Sequence, residues 1–162
     1  MRVGHGFDLH QLRSGGQLVL AGVEVSNLMG PVAHSDGDVI LHATVDALLG
    51  AIAAGDIGEH FPNTDPQWKG AKSSLFVDRA LKLVRAAGYV VGNIDVLVLA
   101  ERPKLKDLKP QMRANLAGLL AVDATQVNIK AGTNEGCDAI GRGEAIAAHA
   151  TVLLIQGSRP SV

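Results

Sequence analysis

Two short stretches hold the residues best suited to chemistry. Near the N-terminus, Asp8 and His10 alternate onto one face of an extended run. Downstream, Asp38, His42 and Asp46 recur at every fourth position, a spacing that lines them up on one side of a helix. A row of carboxylate, imidazole and carboxylate gains nothing from burial unless something binds it. Asp8, His10 and His42 together would make an open zinc-type set, with two imidazoles, one carboxylate and a fourth position left for water or substrate. Taken alone, an Asp-x-His pair is common and usually structural, with Asp8 and His10 bonding each other or the backbone near a strand end. Asp46, one turn beyond His42, reads either as a group orienting that ring or as a solvated helix residue.

Positioning these groups takes a strand and a helix. Residues 2–10 alternate, with Val3, His5, Phe7 and Leu9 on an apolar face and Gly4, Gly6, Asp8 and His10 on the other. On that pattern His5 is expected to be buried and hydrogen-bonded. Ser35 and Asp36 are good N-caps, Asp38 puts charge in the first turn and Gly55 is a stop signal, which predicts a helix over 37–54.

Around them, residues 12–16 read as a turn and 17–25 as a β-like run broken by Gly22. The polar stretch 55–70 is too long for a mere connection. Ser73 or Ser74 caps a helix closed by Gly88, and residues 89–100 form a strand kinked at Gly92 and Asn93. A basic loop over 101–107, an amphipathic helix over 108–120, a strand over 127–131, a glycine-rich loop and an apolar stretch over 145–155 complete the chain. The pattern predicts an α+β fold: one domain spanning 1–162, with a four-stranded mixed sheet and helices on one face. Neighbouring copies in a symmetric assembly would cover the other face.

Composition narrows the function classes. The 162 residues suit one domain with a real core, and 47% of them are apolar, with no run long enough to span a bilayer. A net charge of −1, scattered Lys and Arg, one Trp and one Tyr argue against a nucleic-acid surface. The single Cys137 rules out an intrachain disulfide and suits a reducing compartment. Met1 leads directly into a strand-like segment, so a cytoplasmic protein, or the mature form of a processed one, is expected.

Several motifs in order then carry a resemblance. Met1 to His10 (MRVGHGFDLH), His34-Ser-Asp-Gly-Asp with His42, Gly55-Asp-Ile-Gly with Phe61-Pro, and Gly141-Arg-Gly-Glu resemble the 2-C-methyl-D-erythritol 2,4-cyclodiphosphate synthase family over nearly the whole chain. The resemblance implies a homotrimer with active sites between subunits, acting in the methylerythritol phosphate route to isoprenoids. In the implied reaction, the 2-phosphate of 4-diphosphocytidyl-2-C-methyl-D-erythritol 2-phosphate attacks its own β-phosphorus and expels CMP. An ionised phosphate oxygen needs no strong base, so such a site must fold the substrate onto itself and neutralise crowded charge.

By the same resemblance Asp8, His10 and His42 hold Zn²⁺ or a similar transition metal, Asp8 and His10 also lie against substrate, and Glu135 binds Mg²⁺ or Mn²⁺. His34 and Thr133 bond the phosphates in the catalytic step, and Ser35 holds the second phosphate. Asp56, Ile57 and Gly58 meet the sugar, and the loop of Phe61, Pro62, Asn63, Thr64 and Asp65 closes over it. Ala100, Lys104, Leu105 and Lys106 form the cytosine pocket. Gly132, Asn134, Ala139 and Arg142 complete the substrate contacts, and Phe7 with Arg142 lines an axial cavity able to take an isoprenoid diphosphate. Glu144 is the salt-bridge partner expected for Arg142.

Asn63, Gly132, Asn134 and Ala139 depart from residues frequent in that family, in loops that meet substrate or beside the cavity. His60 and His149 have no role on this reading. The residues alone also fit a zinc phosphoesterase that activates water, or a trimeric module that binds an isoprenoid diphosphate without turnover.

Overall fold

A computed structural model describes residues 1–157. A long strand β1 (Arg2–Ser14) opens the chain, followed by a hairpin of β2 (Leu18–Leu20) and β3 (Val23–Ser26) and a short β4 (Met29–Pro31). Helices α1 (Val39–Ala51), α2 (Ile57–His60) and α3 (Ser74–Ala86) lead to β5 (Tyr89–Leu99). The chain then forms α4 (Lys109–Leu120), β6 (Val127–Gly132), α5 (Asp138–Gly141) and β7 (Ala145–Gln156).

The main sheet has five strands, not the expected four, in the order β4-β1-β7-β5-β6, and β2 and β3 form a separate pair. It is mixed as expected, because β5 and β6 run parallel and every other pairing is antiparallel. The extra strand is β4, which pairs with Leu12, Arg13 and Ser14, residues expected in a turn. Three residues that include Gly and Pro carry no alternation, so this edge strand has no sequence signature. The central strand β7 is buried on both sides only over Ala145–Ala148; beyond it Ala150, Val152 and Leu154 stay inside while His149, Thr151, Leu153 and Ile155 on the opposite face are more exposed. The expected kink in β5 is a register shift between Val91 and Asn93.

The two faces of β1 are the reverse of the expected arrangement. Gly4 and Gly6 are buried, whereas His5 is exposed and Val3, Phe7 and Leu9 are 67%, 47% and 47% exposed. The glycines are the cause. A Cβ on Gly6 would lie 2.0 Å from the Ala43 carbonyl oxygen, and one on Gly4 would lie 1.9 Å from that of Ala47. Strand and helix therefore pack backbone against backbone, which brings the glycine face, and with it Asp8 and His10, against α1.

Helix α1 is shorter than expected and starts later, because Asp38 is its N-cap and accepts from Leu41 N–H at 3.1 Å. Asp38 is fully buried and also accepts from Ala21 and Gly22 N–H at 3.0 and 2.6 Å, tying the β2–β3 turn to the helix. That turn has φ +50 at Ala21 and +74 at Gly22, the left-handed geometry of a tight two-residue hairpin.

Burial raises the Asp38 carboxyl to about 6, the three N–H bonds offsetting only part of the cost. The folded chain thus holds this proton more tightly than the unfolded one. Its contribution to stability is full below the ordinary value of 3.8 and is lost as pH rises through 6. Urea unfolding of wild type and Asp38→Asn at pH 4 and pH 6.5 should show wild type losing about 2 kcal/mol relative to the variant. Parallel behaviour of the two chains would refute this account.

Candidate metal centre and its cleft

Asp8 and His10 leave β1 on the glycine face, and His42 meets them from the first turn of α1. Asp8 Oδ2 lies 2.9 Å from His42 Nδ1 and 3.1 Å from His10 Nε2, and those two nitrogens are 3.1 Å apart. The three side chains are mostly buried, with exposures of 24% for Asp8, 15% for His10 and 10% for His42. Burial opposes ionisation of Asp8, but bonds to the two imidazoles hold its carboxyl well below the ordinary range. One anionic oxygen and two ring nitrogens converging this closely are the donor set of a transition-metal site with an open position.

The far nitrogen of His42 is held as well. His42 Nε2 lies 2.8 Å from Ser73 Oγ and 3.1 Å from Ser35 Oγ. Ser73 in turn donates from its backbone N–H to Asp36 Oδ2 at 3.0 Å and from its hydroxyl to Asp36 Oδ1. This leaves Nδ1 facing Asp8 and His10. The sequence pattern points to helix capping for Asp36 and Ser73 and carries no sign of this link. Ser73 makes no capping bond, and its hydroxyl sits fully buried at the imidazole.

The helical row is not what holds the ring. Asp38 turns to the hairpin, and Asp46 accepts from Ile57 N–H at 2.7 Å, so neither orients His42. Asp46 is neither of the two expected things, since it anchors the start of α2. Burial raises its carboxyl, offset in part by that N–H bond.

Removing the Ser73 hydroxyl should lower Zn²⁺ affinity by about 10- to 100-fold, the usual cost of an outer partner of a ligating histidine. Competition of Ser73→Ala with a chelator measures it. Unchanged affinity would show that Asp36 and Ser73 do not position the ring.

A cleft of about 490 Å³ opens onto the three groups. His34, Ser35, Ile57, Gly58, Phe61, Pro62 and Asn63 line it, with Trp68 and Phe76 as apolar walls. Phe61 is buried, its ring centroid 4.5 Å from that of Phe76 and, edge-on, 5.2 Å from that of Trp68, so the loop expected over the sugar is pinned at its start. Asp56 and Asp65 act locally, accepting from Glu59 N–H and Gln67 N–H at 3.0 Å each, and Thr64 is exposed. His60, left without a role, donates to the Ala54 carbonyl at 2.7 Å.

The remaining candidates gather elsewhere. Ala100, Lys104, Leu105, Lys106, Gly132 and Thr133 line a second cleft of about 190 Å³, joined by Glu101 and Lys109. Glu135 is exposed in the following loop, outside the Asp8–His10–His42 cluster, and Asn134 donates to Asp138 at 2.8 Å. Ala139 is half-buried, and Arg142 pairs with Glu144 at 2.9 Å as expected. Phe7 lies on the exposed sheet face, its ring 4.7 Å from that of His149.

Register fixes the separation of the two clefts. Asp8 pairs with Ala148, Ala148 with Val98, and Val98 with Ala131, two residues before Thr133. Three strand spacings amount to about 14 Å. The intervening Ala148 and Val98 are fully buried, so core separates the clefts within one chain.

The YgbB family model matches residues 1–155. The chain is 51% identical over 154 residues to 2-C-methyl-D-erythritol 2,4-cyclodiphosphate synthase of Geobacter metallireducens, covering 95% of this chain and 98% of the relative. Its fold matches the bifunctional IspDF of Campylobacter jejuni with a TM-score of 0.92 and 44% identity, covering 96% of this chain but 42% of that one. It matches the CDP complex of IspF from Plasmodium falciparum with a TM-score of 0.86 and 34% identity over 97% of both chains.

Proposed function

Because this chain belongs to the YgbB family and shares its cyclodiphosphate synthase activity, we propose that Asp8, His10 and His42 are the metal centre of that reaction. The chain converts 4-diphosphocytidyl-2-C-methyl-D-erythritol 2-phosphate to 2-C-methyl-D-erythritol 2,4-cyclodiphosphate, a step of isoprenoid biosynthesis. The 2-phosphate oxygen bonds to the β-phosphorus, the bond from that phosphorus to the bridging oxygen breaks, and CMP leaves with the α-phosphate.

The observation that carries the assignment is the three donor atoms 2.9–3.1 Å apart at the base of the cleft. Zn²⁺ held there would supply positive charge to the phosphoryl oxygens as the ring closes. The chain's own residues do the rest. Ser73 and Asp36 keep His42 oriented, His34 and Ser35 face the phosphates from the cleft wall, and Phe61 and Trp68 keep water from the sugar end. Glu135 is an oxygen donor that would hold Mg²⁺ or Mn²⁺, which would supply positive charge to the diphosphate. Thr133 completes the phosphate contacts, and Ala100, Lys104, Leu105 and Lys106 take the cytosine.

These two sets belong to one site only if different copies supply them. A homotrimer that sets the 190 Å³ cleft of one copy against the metal cleft of the next would do so, and would also cover Val3, Phe7 and Leu9. The Phe7 face, with Arg142, suits an isoprenoid diphosphate along the assembly axis. The domain on this reading runs the length of the chain, 1–162.

Incubation with the cytidylyl substrate, Zn²⁺ and Mg²⁺, followed by phosphorus NMR and CMP assay, is the test. Two coupled cyclic diphosphate signals growing in step with CMP are expected. Inorganic phosphate would mark a phosphoesterase, and intact substrate would overturn the assignment.

A further inference from the structure

The exposed face of the sheet holds a second pair of imidazoles that the reaction does not use. His5 on β1 and His149 on β7 place Nε2 and Nδ1 3.3 Å apart, with ring centroids at 5.4 Å. Among the described residues neither ring makes another hydrogen bond. The contact is longer than a usual N–H···O hydrogen bond of about 2.9–3.0 Å. Two nitrogens bound to one tetrahedral ion at about 2.05 Å lie about 3.3 Å apart. At the metal centre His10 and His42 show nearly the same spacing, 3.1 Å. Phe7 walls the pair on one side, its ring 4.7 Å from that of His149.

We propose that His5 and His149 form a second divalent transition-metal site, a two-imidazole chelate on the sheet face opposite α1. Imidazole pairs take Ni²⁺, Cu²⁺ or Zn²⁺ and leave further positions for water or for the same pair from another copy. Hard cations such as Mg²⁺ are poor occupants, because the site offers no oxygen donor. The two sites point to opposite sides of the sheet and fill independently.

Equilibrium dialysis of untagged protein against Ni²⁺ alone, with molecular mass measured on the same samples, tests this. Wild type should bind two ions per chain, or four per three chains if copies share the outer ion. His5→Ala and His149→Ala should each lose the outer ion and keep the inner one. His149→Gln, which still packs against Phe7, should do the same and guards against a loss of packing. His42→Ala should lose the inner ion and keep the outer. If the three outer-site variants bind as many ions as wild type, the second site does not exist. If instead His42→Ala alone leaves the count unchanged, the catalytic metal assignment fails and the outer site stands.

Discussion

A His42→Ala chain is expected to keep its fold, lose affinity for a divalent transition metal such as Zn²⁺ and turn over at least about 10³-fold more slowly. A metal ion at a phosphoryl centre contributes several kcal/mol of charge stabilisation, and each 1.4 kcal/mol is a factor of about ten. The imidazole is only 10% exposed but lines the cleft, so the space that truncation leaves adjoins the cleft rather than lying sealed in the apolar core. It also frees the Ser73 hydroxyl and leaves Asp8 with one imidazole instead of two. Asp8→Asn should behave alike, since a neutral amide cannot replace the anionic donor. Zinc content by mass spectrometry and CMP release on the same preparations make the comparison. A variant that loses zinc yet keeps turnover would remove the ion from catalysis, and one that keeps zinc would remove His42 from the site.

Gly6→Ala is expected to be as damaging without touching any reacting group. Its Cβ would fall 2.0 Å from the Ala43 carbonyl oxygen and 2.7 Å from the Ala47 nitrogen, both in the backbone of α1. No side chain can rotate away, so strand and helix must separate along their length. Overpacking usually costs 1–3 kcal/mol, and a clash between two backbones belongs above that range, at about 4 kcal/mol or more. Because Asp8 is two residues along β1 and His42 is beside Ala43, the same displacement pulls the metal donors apart. The expected result is a lower urea midpoint together with loss of Zn²⁺ affinity. Gly70→Ala is a useful control for glycine replacement, because nothing lies within 4 Å of its Cβ position, although its φ of +69 still carries a small strain. A Gly6→Ala chain as stable as wild type would refute the backbone-contact account of β1 and α1.

Much of the chemistry was legible before the fold. Asp8, His10 and His42 are named by type and spacing, because a strand of period two and a helix of period 3.6 set which residues share a side. The long strands, the three main helices and the break at Gly92 and Asn93 follow from the same periodicities. These are local properties, settled by residues a few positions apart.

What only the tertiary structure decided depends on contacts distant in sequence. Alternation divides β1 into two faces but cannot say which is inside. Gly4 and Gly6 decided that by allowing a helix to approach where apolar side chains would have held it off. Asp36 and Ser73 read as helix caps because capping is their commonest local use, whereas the contacts that hold His42 run 37 residues from Asp36 to Ser73 and 31 back from Ser73 to His42. Asp38 left the expected row because the β2–β3 turn offered it two N–H groups. The order of the strands put Asp8 and Thr133 on opposite sides of a buried core. That separation is a property of the sheet, and no local pattern in the sequence could record it.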